Sequence, residues 1–248
     1  MKSDKSKTVL ITGATDGIGR ALAEIYSARG DRLVLVGRRS LNELDDAIFG
    51  KENYCQADLS KENCANKVCA FLKGQKIEEV DLAIQNAGIG YYGSVADQNV
   101  ESICELVAVN LMAPLRLTHA LVPFVKMADG KHVLIGSMAH AFPCPDYAVY
   151  SASKAALHEL GRNLKIEEDV NVQVIHPGAT LTGMHRKIGL EDDKVEGFAT
   201  AEGVANQIAR AIDGRRFVVT VGLANAWGRF LGRYLDGVVD GLMRRGAK

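Results

Sequence analysis

Short apolar runs rich in β-branched residues alternate along the chain with longer segments in which apolar side chains recur every three to four positions. Residues 8–12, 32–36, 54–57, 81–85, 132–136, 171–176 and 217–221 read as strands. Several of these runs are continuously apolar, as strands covered by helices on both faces must be. Helical periodicity fills the intervals at 17–29, 41–47, 61–73, 100–127, 147–168 and 201–212. Ser60 is placed to cap the third of these helices. Pro114 and Pro123 fall inside the fourth, which predicts a kink or break there. Strict alternation of strand and helix predicts an α/β chain: a seven-stranded parallel sheet in one doubly wound, Rossmann-like domain over residues 1–248.

Beyond the last strand the pattern changes. Trp227, Phe230, Leu231, Tyr234, Leu235, Val238, Val239, Leu242 and Met243 recur at helical spacing, with Arg229, Arg233, Arg244 and Arg245 among them. This predicts an amphipathic helix over residues 225–245. Its apolar face has three possible destinations: its own domain or another subunit, a nearby cleft, or a membrane surface.

Composition narrows the function classes. A hydrophobic share of 47% with 24% charged residues is that of a folded domain. Thirty basic and thirty acidic side chains balance, so no net field draws the chain to nucleic acid. The polar N-terminus offers no signal peptide, and no apolar run approaches 18 residues, which excludes a spanning helix at the level of sequence. Cys55, Cys64, Cys69, Cys104 and Cys144 form an odd set without a Cys-x-x-Cys pair. They read as reduced, mostly core thiols of a cytoplasmic protein that binds no metal.

The first strand runs into a glycine cluster containing Gly13, Thr15, Asp16, Gly17, Ile18 and Gly19, and a helix follows at once. A tight turn that lets backbone approach a pyrophosphate has no room for a Cβ, and the helix N-terminus then presents N–H groups to the anion. The plain alternative is a structural turn. Where NAD sites place a carboxylate at the end of the second strand, this chain has Arg38 and Arg39. Charge-assisted hydrogen bonds to a 2′-phosphate, roughly 1.5–3 kcal/mol each, favour NADP over NAD.

Four further residues carry candidate chemistry. Tyr150 and Lys154 lie one helical turn apart on one face, Ser137 follows the fifth strand, and Asn110 sits in the fourth helix. Asn86, Ala87 and Gly88 form a turn after the fourth strand. Taken with the glycine cluster, these residues resemble the short-chain dehydrogenase/reductase family, in its branch of roughly 250 residues, from Thr8 to about Val221.

The resemblance implies roles. Tyr150 is the acid/base, Ser137 bonds the substrate oxygen, Lys154 holds the nicotinamide ribose, and Asn110 organises a water for proton relay. It also implies cofactor contacts at Asp58 and Leu59, at Pro177 and Gly178, and at Thr180 and Thr182. Asp16 departs from the family's NADP-preferring members, which often carry a basic residue there. A carboxylate near the adenosine ribose would repel a 2′-phosphate.

A free phenol with pKa about 10 is a poor base at neutral pH. A cation about 5 Å away at an effective dielectric near 20 favours the phenolate by about 3 kcal/mol, so Lys154 is expected to acidify Tyr150. The expected reaction passes a hydride between nicotinamide and a carbonyl carbon. Met138, His140, Phe142 and Cys144 follow the fifth strand, and Leu181, Met184, Ile188, Leu190 and Phe198 follow Pro177-Gly178. If these side chains line a pocket and do not merely pack a lid, the substrate is a largely apolar carbonyl compound or alcohol. His140 either selects a polar substrate group or is an exposed loop residue.

The leading expectation is an NADP-dependent carbonyl reductase or alcohol dehydrogenase that assembles as a homodimer or homotetramer. A non-catalytic nucleotide-binding sensor or scaffold is the rival; the intact set of four residues weighs against it. An epimerase or dehydratase would usually need a longer chain with an added substrate region.

Overall fold

The computed structural model describes residues 6–44, 47–168, 170–184, 188, 196–222, 225–229, 237, 240 and 241. The alternation read from the sequence becomes β1 (Thr8–Thr12), α1 (Gly17–Ala28), β2 (Arg32–Gly37), β3 (Tyr54–Gln56), α2 (Cys64–Gly74) and β4 (Leu82–Gln85). There follow α3 (Val100–Val107), α4 (Ala113–Met127), β5 (Lys131–Ile135), α5 (Ala148–Glu167) and β6 (Asn171–His176). The chain continues through β7 (Thr180–Leu181), β8 (Ala199–Thr200), α6 (Ala201–Ile212) and β9 (Val218–Thr220).

Seven strands form one sheet in the order β3-β2-β1-β4-β5-β6-β9, and every pairing is parallel. Side chains alternate between its faces. Val9, Ile11 and Ile84 pack against α1 and α6, while Leu10, Val34, Val36 and Ala83 pack against α2 and α4. The strand order reverses between β1 and β4. At such a switch point the helices diverge and leave a crevice beyond the carboxyl ends of the strands. β7 and β8 make a separate two-stranded sheet.

Several local expectations need correction. Of the helix expected at 41–47, the described part contains one 3₁₀ turn, Leu41–Glu43, held by a capping box between Ser40 and Glu43. Ser60 does not cap α2. Its hydroxyl donates to Asp58 Oδ1 at 2.8 Å, and the helix begins at Cys64. Only Cys55 and Cys64 are buried; Cys104 is exposed, and all five thiols are free.

The fourth helical segment neither ends nor breaks at its prolines. It runs from Val100 to Met127 through a π turn, Ala108–Met112, with Pro114 in the first turn of α4 and Pro123 inside it. Pro114 cannot bond the carbonyl four residues back, at Asn110, and the wider turn just before it absorbs that mismatch. The continuous run is long and apolar enough, by length and composition, to cross a membrane, so the exclusion drawn from uninterrupted apolar runs was too strong. A core helix meets the same criterion, and Ala113, Leu117, Leu121 and Val125 of this one are buried in the core.

Candidate active site

β1, β2 and β4 deliver the nucleotide end of the crevice. Gly13 has φ +67°, and a Cβ there would lie 2.9 Å from Ala87 Cα. At Gly19 a Cβ would run into the carbonyl oxygen of Gly13. Glycine is therefore enforced at both positions by sterics. Thr12 ties the loop to the next turn: its hydroxyl oxygen accepts from the N–H groups of Asn86 (3.0 Å) and Ala87 (3.1 Å), and its carbonyl accepts from Asn86 Nδ2 (3.0 Å). Thr12 is thus a part of the site that its place at the end of a strand did not signal.

A cleft of about 710 Å³ opens at this point. Gly13, Thr15, Asp16, Gly17, Ile18, Arg38, Asp58, Leu59, Asn86, Ala87, Gly88, Pro177, Gly178, Thr180 and Thr182 all line it, together with Ser137, Tyr150 and Lys154. An extended dinucleotide fits this lining. The first turn of α1 stands at the glycine loop, and Arg38 and Asp58 are at the carboxyl ends of β2 and β3.

Two expected cofactor residues behave differently. Arg39 is not part of the lining: its guanidinium donates to the Thr15 carbonyl, and its own carbonyl accepts from Tyr54 OH at 2.7 Å. It braces the glycine loop from behind. The Asp16 carboxylate packs against Gly183, toward the segment after β7. Arg38 keeps the expected place, with its guanidinium 3.9 Å from Glu105. Burial pushes the Asp58 carboxyl up, but two hydrogen bonds from Ser60, with Lys61 and Arg38 nearby, outweigh it and hold the group below its ordinary range.

The other end of the cleft is set by β5, the π turn and α5. Lys154 is buried, and its Nζ donates to the Ile135 carbonyl at 3.0 Å. Asn110 is fully buried in the π turn. Its Oδ1 accepts from Ile89 N (2.8 Å), and its Nδ2 donates to Ile89 O (2.9 Å) and Ser153 Oγ (3.2 Å). Its amide thus fastens the loop after β4 to α5. A Cβ on Gly88 would lie 3.2 Å from Lys154 Nζ and 3.4 Å from Asn110 Oδ1, so glycine keeps open the space where the two approach.

Tyr150 stands in α5 with Lys154 Nζ 5.9 Å from its ring centroid. The expected acidification does not hold in this structure. Burial raises the phenol above its ordinary value, and only the Ser137 hydroxyl, donating to its oxygen, pulls it back. Burial also lowers Lys154 to about 8, because an ammonium loses more hydration than one carbonyl restores. Tyr150 is therefore a protonated phenol at neutral pH.

Met138, Phe142, Cys144, Met184, Ile188 and Phe198 line the cleft beside Tyr150. Leu181 does not, being half exposed, and Leu190 lies outside the described residues. Ile89, Val109 and Tyr147, none of them expected from the sequence, also line the cleft. For Tyr147 a signal existed, since it precedes Tyr150 by about one helical turn.

His140 neither enters the cleft nor lies on an exposed loop. Its ring stacks on His176 with centroids 3.7 Å apart, and His158 stands behind, 5.4 Å from His140 and 5.3 Å from His176. Donor atoms of the three imidazoles lie within 4.8 Å of one another, a spacing that a metal ion could draw together. Both nitrogens of His140 are nevertheless engaged: Nδ1 lies 2.6 Å from the Ser137 carbonyl, and Nε2 accepts from Arg229 Nε at 3.3 Å. A guanidinium on the ligand atom opposes a second cation there.

Arg229 ends the longest described stretch of the C-terminal segment, residues 225–229. This stretch packs on its own domain beside the cleft. A Cβ at Gly228 would lie 2.8 Å from the Phe142 ring, and one at Gly178 would overlap Asn225. All eight apolar positions expected beyond Arg229 lie outside the described residues.

Comparison with known proteins decides the family. A family model for short chain dehydrogenases matches residues 7–193. The chain belongs to the short-chain dehydrogenase/reductase family. It is 32% identical over 234 residues to Dehydrogenase/reductase SDR family member 7B of Xenopus tropicalis, covering 84% of this chain and 74% of that protein. Among solved structures it is similar to a short-chain dehydrogenase from Sphingobium yanoikuyae in complex with NADPH, with TM-score 0.77 and 30% identity, covering 96% and 95% of the two chains. It is also similar to the bulky-bulky ketone specific alcohol dehydrogenase of Comamonas testosteroni, with TM-score 0.73 and 28% identity over 96% and 94%. The protein is an NAD(P)-dependent short-chain dehydrogenase/reductase with a Rossmann-like parallel sheet.

Proposed function

We propose that this enzyme is an NADP-preferring carbonyl reductase whose substrate is a bulky, largely apolar ketone or the matching alcohol. The observation that carries the reading is the two-ended cleft: a glycine loop and Arg38 at one end, and Tyr150, Ser137 and Lys154 among apolar side chains at the other. Arg38 offers a 2′-phosphate a charge-assisted partner, and the Asp16 carboxylate is turned toward Gly183. The likeness to a ketone-specific relative supports the apolar substrate.

When bound, the dinucleotide supplies the hydride that reduces the carbonyl carbon. The chain's own residues handle the oxygen. Ser137 holds it by a hydrogen bond, and Tyr150, kept protonated by burial, gives it a proton. With the dinucleotide bound, Lys154 and Tyr150 would hold the nicotinamide ribose. Met138, Phe142 and Met184 exclude water from the reacting carbonyl. Exposed apolar side chains such as Ile166, Met127 and Leu115 support assembly into a homodimer or homotetramer, and the five free thiols support a reducing, cytoplasmic location.

The test is NADPH oxidation against a panel of bulky apolar ketones, with NADH and Tyr150→Phe as controls. Tyr150→Phe is expected to lose about 10³-fold in turnover while still binding NADPH. Equal rates in the two proteins would refute the role given to Tyr150.

A further inference from the structure

We infer that His140 is a positioning residue for Ser137, and that Arg229, at the head of the C-terminal helix, holds His140 in its working orientation and tautomer. The inference rests on the reading of Ser137 as the hydroxyl that holds the substrate oxygen.

The tautomer follows from the partners. A guanidinium can only donate, so the Arg229 Nε contact of 3.3 Å makes His140 Nε2 an acceptor. Neutral His140 then carries its proton on Nδ1, which donates to the Ser137 carbonyl across 2.6 Å. The backbone alone would hold that carbonyl weakly: the amide N–H of His140, which also reaches it, stands 3.3 Å away. Ser137 has little freedom to spare, because its Oγ also accepts from Ala139 N at 3.2 Å and must point at Tyr150.

The imidazole is fixed from a second direction. It lies nearly parallel to His176, at an interplanar angle of 20°, and His176 Nε2 is bonded to His158 Nδ1 at 3.2 Å. These rings come from three separated parts of the chain: the turn after β5, the end of β6 and the middle of α5. Burial keeps His158 and His176 neutral, so His140 stacks on an uncharged ring. A second point of contact between Gly228 and Phe142 ties the same helix head to the far end of the loop that starts at Ser137. The C-terminal helix thereby reaches the reacting centre through one imidazole, without entering the cleft.

Three substitutions of the full-length enzyme separate the atoms involved. His140→Phe keeps a stacking ring and removes both nitrogens. His140→Asn keeps a donor near the position of Nδ1, and Arg229→Met removes the clamp. His140→Phe is expected to lower kcat by about tenfold, with NADPH affinity by fluorescence titration and the melting temperature nearly unchanged. His140→Asn is expected to recover to within about threefold of wild type. Arg229→Met is expected to lower kcat in the wild-type background and to add nothing to His140→Phe. In ¹⁵N-histidine spectra His140 is expected to show a protonated Nδ1 that becomes mixed in Arg229→Met.

Wild-type kcat in His140→Phe overturns the inference, as does failure of His140→Asn to recover more than His140→Phe or an Arg229→Met effect of equal size in both backgrounds. Should His140→Phe fail to fold, the Arg229→Met and His140→Asn pair completes the same cycle. Tyr150→Phe is run alongside: a fully active Tyr150→Phe overturns the functional reading itself, whereas an inactive one beside an unaffected His140→Phe overturns only the present inference.

Discussion

The two ends of the cleft are made of different materials. At the nucleotide end the shape is drawn by backbone: Gly13 against Ala87, Gly19 against the Gly13 carbonyl, and Thr12 stitching both to Asn86. At the reacting end it is drawn by side chains from loops and helices far apart in sequence. Histidine marks the division, since all six stand after Thr118 and none in the β1–β4 part that builds the glycine loop. A backbone-built site has essentially one solution, and a side-chain-built site has many. That difference decides which parts of the enzyme tolerate substitution and which respond to pH.

Acid is expected to destabilise the fold through the buried histidines of the β5–β6 part of the chain, the largest effect foreseen. His132 is fully buried in β5, neither ring nitrogen has a partner among the described residues, and burial lowers it from 6.5 to about 4. Its contribution to stability is complete above the unfolded value near 6.5 and is lost as pH falls toward about 4, because the unfolded chain takes up the proton first. From pH 7 to pH 5 that loss is about 2 kcal/mol for His132 alone. The His158–His176 pair, lowered to about 4 and about 2 chiefly by burial, adds to it in the same direction. Urea midpoints measured at both pH values should drop sharply in wild type and less in His132→Leu. An identical drop in the two proteins would remove His132 from the account.

The nucleotide end should break on a single methyl group. Gly13→Ala forces a Cβ to within 2.9 Å of Ala87 Cα at a positive φ, costing about 2 kcal/mol of stability. Dinucleotide affinity should fall by more than this strain predicts, since relief requires the loop to move. Wild-type urea stability in the variant would show that the loop yields freely, and the contrast between the two ends would weaken.

What was legible in the sequence follows the same division. Residues 8–12, 171–176 and 201–212 form the elements expected of them, and Gly13, Asn86, Tyr150 and Lys154 reach one cleft, because each is tied to a local motif on a regular element. His140 was not legible. Its ring direction depends on His158 and His176, on two other elements, and on Arg229 near the end of the chain, and no spacing rule connects them. Arg39 was misread for a similar reason: two adjacent arginines look alike in sequence, but at the end of a strand successive side chains leave on opposite sides. The direction of the Tyr150 shift was missed because distance to a cation was weighed without the burial of both groups.

Cofactor choice sharpens the comparison, because Arg38 is a replaceable side chain at an otherwise backbone-built end. Arg38→Ala should weaken NADPH binding by about tenfold and leave NADH nearly unaffected, the loss expected for one exposed charge-assisted hydrogen bond. Isothermal titration with both cofactors measures it. Parallel losses for the two nucleotides would mean that Arg38 shapes the loop instead of reading the 2′-phosphate.

The smallest expected effect lies at the apolar end. Phe142 lines the cleft, and its ring also meets Gly228 of the C-terminal helix. Phe142→Ala removes apolar contact from the substrate, and a pocket contact of that kind contributes about 1 kcal/mol because substrate and neighbouring side chains resettle into part of the space. KM for a bulky aromatic ketone should therefore rise about fivefold, with kcat and NADPH affinity nearly constant. If kcat falls instead while KM stays, the ring acts through the Ser137–Phe142 loop and its contact with the C-terminal helix, and the apolar end is then as strictly positioned as the glycine loop.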